Sequence, residues 1–140
     1  MDIKKTANLF AKFTIKRIAE IFGITVFCTG VLLLLALLTY SPDDPNFIFP
    51  ENTKIENILG FQGSFVSDIF FQSIGLVSYL LSFTLIVTGI NIIRTKEFFL
   101  IIENIFFAII YSILGTLFFA HFYSEAFALY INGNGGFLGN

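Results

Sequence analysis

Three long apolar runs divide the chain. The first, Ile21 to Tyr40, reads IFGITVFCTGVLLLLALLTY and carries no charge. The second, Ile69 to Ile93, is also uncharged, and the third, about Phe98 to Phe122, holds a single acid, Glu103, near its start. About 20 residues at 1.5 Å rise cross a hydrocarbon core of about 30 Å, so each run is long enough to be a transmembrane helix. The predicted fold is all-α and polytopic, with spans at about 21–40, 69–93 and 98–122. Residues 1–20 read as a basic segment and 21–140 as the transmembrane domain, which includes a loop at 41–68 and a Gly-rich tail at 123–140. The first run is no cleaved signal peptide, because its apolar core exceeds the usual 7–15 residues and no A-x-A-like site follows.

Composition supports lipid as the solvent and the bilayer as the first partner. Of the 140 residues, 56% are apolar and 13% charged, against about 25% charged in ordinary soluble domains. A soluble domain this short could not bury so much apolar surface.

The net charge of −2 says little, but its distribution sets an orientation. Lys4, Lys5, Lys12, Lys16 and Arg17 precede the first run, and Arg94 and Lys96 separate the second from the third. Lys54 stands alone between the first two, among Asp43, Asp44, Glu51, Glu56 and Asp68. Seven basic residues therefore face one side and one the other. By the positive-inside rule the N-terminus and the Arg94–Lys96 turn are cytoplasmic, and 41–68 and the tail are external. A tail that stays outside and ends in NGNGGFLGN carries no domain of its own. A fourth span is expected to begin at or after the C-terminus, with the chain the front of a longer protein.

Before the first run, Ile3, Ala7, Phe10 and Ile18 fall near one helical face, with Leu9 and Phe13 beside it and Lys5, Lys12 and Lys16 on another. Such a basic amphipathic helix suits an anionic inner leaflet, although topogenic charge alone also accounts for the cluster. Nothing in the segment interleaves aromatic and basic residues as a nucleic-acid stacking platform would, so no direct nucleic-acid binding is expected. Small residues recur at helical spacing within the runs: Ala19, Gly23 and Gly30; Gly75, Ser78, Ser82 and Gly89; Ala108, Ser112 and Gly115. Small residues let lipid-embedded helices approach closely, so these stripes predict helix–helix seams.

The chemistry of catalysis is not visible. There is no Walker-type loop, no H-E-x-x-H and no pair of cysteines, so no catalytic, cofactor-binding or metal-ligating residues are assigned. Cys28 reads as a small apolar helix residue. His121 reads as a structural side chain at the outer end of the third run. Glu103 is the one intramembrane acid, and such acids are functional candidates by default. It lies near the cytoplasmic interface with Lys96 in reach, which favours a structural reading.

The first run ends at Ser41-Pro42-Asp43-Asp44-Pro45, a string more particular than a helix stop requires. Farther on come Asn57 to Gly63 (NILGFQG), with Gly60 and Gly63, and the closing Gly135-Gly136-Phe137-Leu138-Gly139. In this order and placement, over residues 18–140, the chain resembles the N-terminal membrane domain of FtsK/SpoIIIE-type DNA translocases. Ser41, Asp44 and Pro45 match that family's S-x-x-D-P string, Asn57 to Gly63 its N-x-x-G-x-x-G stretch, and Gly135, Gly136 and Gly139 the G-G-x-x-G that opens its fourth span. The resemblance implies a four-helix anchor in the bacterial inner membrane for a cytoplasmic, hexameric, ATP-driven DNA motor. It further implies divisome membrane proteins as partners and a role in chromosome partition and cell division. No motor residue lies in this chain. Two alternatives stay open. A transporter or channel subunit would need more polar groups around a cavity. A small stand-alone membrane protein such as a holin would need a self-contained bundle.

Overall fold

The computed structural model describes residues 3–45, 54–123 and 132–139, with side chains from residue 8 onward. Among these residues five helices follow in order: α1 Ile3–Leu38, α2 Gly60–Ile74, α3 Val77–Thr95, α4 Leu100–Phe122 and the short α5 Gly136–Gly139.

The basic segment and the first span are one uninterrupted helix of 36 residues. No proline occurs before Pro42, and three threonines inside it bond their hydroxyls to the helix's own carbonyls. Thr14, Thr25 and Thr29 donate to the carbonyls of Phe10, Ile21 and Thr25 at 3.0, 3.0 and 2.9 Å, the way a membrane helix satisfies its own polar groups.

α3 runs antiparallel to α1, and this pair is the most extensive in the fold. Glycines set the closeness of approach. A Cβ on Gly89 would lie 2.5 Å from the backbone nitrogen of Phe27, and one on Gly30 2.8 Å from that of Ile86. Gly23 faces Gly89 and Ile93 in the same way. Backbone meets backbone along this seam, with Ala19 and Ile92 fully buried beside it. α4 returns antiparallel to α3. Gly115 packs against Val77 at one end, Thr84 and Tyr111 hydroxyls meet at 2.8 Å in the middle, and Asn104 donates to Thr88 at 2.8 Å nearer the other end. The α3–α4 turn is closed by Lys96 in a left-handed cap (φ 63°) whose N–H bonds Ile92 at 2.8 Å. Its ammonium reaches Glu20 of α1 at 2.6 Å, so the turn is clamped to the first helix. This is the Lys96 end of the bundle; the opposite one is the Tyr40 end.

The second run differs from its sequence-based expectation. Hydropathy predicts one span from 69 to 93 behind a loop at 41–68, but the helix breaks inside it. α2 starts within that loop, at Gly60, and stops at Ile74. Gly75 then takes φ 57°, ψ −138°, a conformation L side chains avoid, and Leu76 gives its N–H to Asn134 at 3.0 Å rather than to the preceding turn. Hydropathy cannot see this break, because the residues on both sides are equally apolar. α2 has 15 residues, about 22 Å of helix, which is short of a bilayer core. Both its ends lie at the Tyr40 end: Gly63 abuts Asn57, which is bonded to Ala36 of α1, and Ile74 borders Val77 of α3. α2 therefore lies across that end instead of traversing the bundle. Among the described residues three helices are long and apolar enough to span a membrane: Asn8–Leu38, Val77–Thr95 and Leu100–Phe122.

Burial is sparse and lipid must supply the rest. Of the 23 residues of α4 only Ala108 and Thr116 are buried, while Ile102, Phe106, Phe107, Ile110, Leu114 and Phe118 are exposed around it. A helix apolar on nearly every side is stable only where its surroundings are apolar. The aromatic core sits at the Tyr40 end, where Phe71 of α2 is fully buried against Leu33 and Leu37. Its ring lies 4.9 Å from that of Tyr40 and 5.5 Å from that of Tyr79.

Candidate functional site

The end of α1 sets a local problem. The last carbonyls of a helix have no partner within it, and here they sit at the edge of an apolar bundle. Thr39 takes Leu35 through both its N–H, at 3.1 Å, and its hydroxyl, at 2.8 Å. Ala36 O accepts from the Asn57 side-chain amide at 2.9 Å, and Leu37 O from the Tyr79 hydroxyl at 3.2 Å. The partners come from a loop and from α3, so ending α1 also assembles the tertiary structure around it.

The Ser41–Pro45 string organises that loop. Asp44 N–H bonds Ser41 O at 3.2 Å, closing a turn in which Pro42 presets the backbone angle. The turn aims the Asp44 carboxylate inward, where the residue is 4% exposed. It accepts the backbone N–H groups of Glu56 at 2.7 Å and Asn57 at 3.0 Å. Pro45 O accepts the Ser64 hydroxyl at 3.2 Å. Asn57 is equally buried, and its side-chain oxygen takes the Leu59 N–H at 3.1 Å while its carbonyl takes that of Gly60 at 2.8 Å. Gly63 must lack a side chain, since a Cβ there would lie 2.1 Å from the Asn57 side-chain oxygen. Ser41, Pro42, Asp44 and Pro45 on one side, and Gly60 and Gly63 on the other, thus belong to one knot; Asp43 is exposed beside it.

The glycine-rich tail docks at the other end of α2. A Cβ on Gly136 would lie 2.6 Å from Gly75 N, and Cβ atoms on Gly135 and Gly139 would each lie 2.6 Å from Thr116 O. Asn132 donates to Gln72 O at 3.2 Å, and the buried Asn134 side chain donates to Tyr123 O. The segments 46–53 and 124–131 of the predicted loop and tail lie outside the described residues.

Other predicted residues stand apart from these clusters. Glu103 is exposed in the first turn of α4, and the Lys96 ammonium, which the sequence puts in its reach, bonds Glu20. Cys28 is exposed, and so is His121, its ring against Phe122 at 4.7 Å. Among the described residues no three of His, Cys, Asp and Glu gather as a metal site would require. Sequence reasoning did not find Thr39, Tyr79 or Asp68, the last bonded to the Tyr40 hydroxyl at 3.3 Å. A signal for Asp68 was present: an acid at the margin of an apolar run needs a partner. For Tyr79 there was none, since a tyrosine in a span is ordinary.

Most polar side chains of the two clusters bond backbone groups, and the helices they hold together are apolar outside. The fold and this site define a polytopic, helical membrane-spanning domain. Residues 15–140 match the family described as the 4TM region of DNA translocase FtsK/SpoIIIE, and the chain belongs to that family. It is 36% identical over 73 residues to the DNA translocase FtsK of Caulobacter vibrioides, covering 52% of this chain and 9% of that protein. To that of Azospirillum brasilense it is 27% identical over 112 residues, 79% of this chain and 17% of the relative. For that of Rhizobium meliloti the figures are 26% over 98 residues, 70% and 11%. The chain thus spans less than a fifth of the length of these relatives. No solved structure matches it. It is a bacterial membrane-spanning protein region.

Proposed function

We propose that this chain anchors an FtsK-like DNA translocase in the inner membrane at the division site, tethering a cytoplasmic ATP-driven motor that lies outside these residues. The observation that carries the reading is the family match over 15–140 to relatives that are DNA translocases and are far longer than the matched region. The charge asymmetry supports a cytoplasmic N-terminus and Lys96 end, the side on which a motor would work. Assembly into a homo-oligomer, a hexamer in keeping with the motor, and contact with divisome membrane proteins belong to the same proposal. In this reading the chain contributes no catalytic residue, and the knot at the Tyr40 end holds the external surface in one shape.

The test replaces Ser41 to Pro45 by Gly-Ser-Asn-Gly-Ser in the full-length protein. Gly and Asn still end α1, so insertion and abundance stay normal. The expected outcome is impaired division or lost septal localisation in a strain depleted of its translocase. Wild-type growth with normal septal localisation would reduce the string to a helix stop and remove this support.

A further inference from the structure

α1 is longer than its membrane task. Glu20 to Leu38 already gives about 28 Å of helix, close to a full hydrocarbon core, and pairs with all of α3. The helix nevertheless continues unbroken to Ile3. From Asn8 to Ile18 every side chain is exposed, including Leu9, Phe10, Phe13, Ile15 and Ile18 at 52–73%. Large apolar side chains in such number on a stretch that none of the described residues covers need another surface.

The arrangement of that stretch says which surface. At 100° per residue, Leu9, Phe13 and Phe10 share one face, about a third of a turn away from the stripe of Ala19, Val26, Gly30 and Leu37 that packs on the bundle. Lys12 and Lys16 run up one edge of this face, one turn apart. Neither makes an ion pair among the described residues, whereas Arg17 is held by Glu20 and stacked 5.0 Å over the Phe13 ring. Arg94 adds a third cation without an ion pair among the described residues at the same end of the bundle. An apolar face bordered by snorkelling lysines, continuous with a membrane span, complements an anionic bilayer surface.

We propose that residues 8–18 of α1 are a docking site for anionic phospholipid headgroups, with Leu9, Phe10 and Phe13 entering the interface and Lys12 and Lys16 reaching the phosphates. The segment is then held at an anionic bilayer surface and released from a neutral one. This rests on the membrane-spanning fold and is independent of the division role.

The chain has no tryptophan, so Phe10→Trp supplies a single reporter. The chain is reconstituted in nanodiscs, open on both faces, made of phosphatidylcholine alone or with a third phosphatidylglycerol. Quenching by lipids brominated near the headgroup reads the docked fraction. Each lysine near an anionic surface contributes about fivefold at low salt. Lys12→Gln with Lys16→Gln should therefore lower the docked-to-free ratio about 25-fold in anionic discs and leave it unchanged in neutral ones. High salt should mimic the double variant. Far-UV circular dichroism should show unchanged helix content, which excludes unfolding as the cause. Equal quenching in neutral and anionic discs would overturn the proposal. So would a reporter that ignores lipid and responds only to added duplex DNA.

Discussion

Asp44→Ala tests the knot most directly. The variant deletes a carboxylate that accepts two backbone N–H groups, Glu56 at 2.7 Å and Asn57 at 3.0 Å. The two bonds are not equivalent. Glu56 is exposed, so its N–H regains water and only the net worth of a charge-assisted bond is lost, about 1.5 kcal/mol. Asn57 is 4% exposed, and its N–H is left orphaned, at about 2 kcal/mol. The sum, about 3.5 kcal/mol, acts on local opening of the loop, because Asn57 is also what links the loop to Ala36 O at the end of α1. At 1.4 kcal/mol per tenfold, amide exchange at Glu56 and Asn57 should accelerate by two to three orders of magnitude. Residues in the middle of α3 should keep their protection, since opening of a surface unit does not require global unfolding. Asp44→Asn keeps one acceptor oxygen and the shape, so it should fall between the two. Glu56→Gln, which alters only an exposed side chain, should change nothing. The measurement is hydrogen exchange of the chain in nanodiscs, resolved to the 54–64 peptide. An Asp44→Ala variant whose Asn57 exchange rises less than tenfold would refute the reasoning, and so would one that loses protection equally along α4.

Other expectations concern the seams and the ends. Gly89→Leu should open the α1–α3 pair, because even a Cβ would meet Phe27 backbone at 2.5 Å; denaturant titration in micelles should show a loss of at least about 2 kcal/mol. Glu103→Gln should be tolerated, since its side chain is exposed and makes no ion pair among the described residues, whereas Glu20→Gln removes the partner of Lys96 and should loosen the α3–α4 turn. Loss of division with normal abundance in Glu103→Gln would show that the acid works. For topology, single cysteines at Asn52 and Thr95 in a Cys28→Ala background, probed with an impermeant thiol reagent on intact spheroplasts, should label at 52 only. Labelling at 95 alone would invert the proposed orientation.

What the sequence made legible follows from what each signal measures. Hydropathy measures transfer into lipid, so it found the apolar lengths that become α1, α3 and α4. It is blind to backbone direction, so Ile69 to Ile93 read as one span although Gly75 turns the chain between Ile74 and Val77. The small-residue stripes predicted close approach, and Gly23, Gly30 and Gly89 do meet backbone across the α1–α3 seam. Gly75 was counted in such a stripe and serves instead as the break. Spacing of the motif residues told nothing of their contacts: 12 and 13 positions separate Asp44 from the amides it holds, and no local periodicity encodes that. Proximity along the chain puts Lys96 in reach of Glu103, but the closing of α3 onto α1 brings Glu20 to that ammonium.

These particulars explain why the Tyr40 end is built of polar residues in a protein otherwise so apolar. A membrane helix can end anywhere its carbonyls find donors, and water at the interface would suffice for a plain stop. Here the donors are Asn57 and Tyr79, at fixed positions in the loop and in α3. Asn57 is in turn held through its own N–H by Asp44, and accommodated by the missing side chain of Gly63. Each link removes a buried polar group's penalty only if the next is in place, so the set forms together or not at all. Hydrocarbon gives helices no hydrophobic reason to choose one another. In such a medium, order at the bundle end comes from this chain of hydrogen bonds, and it fixes where α2 lies and hence what surface the domain presents beyond the membrane.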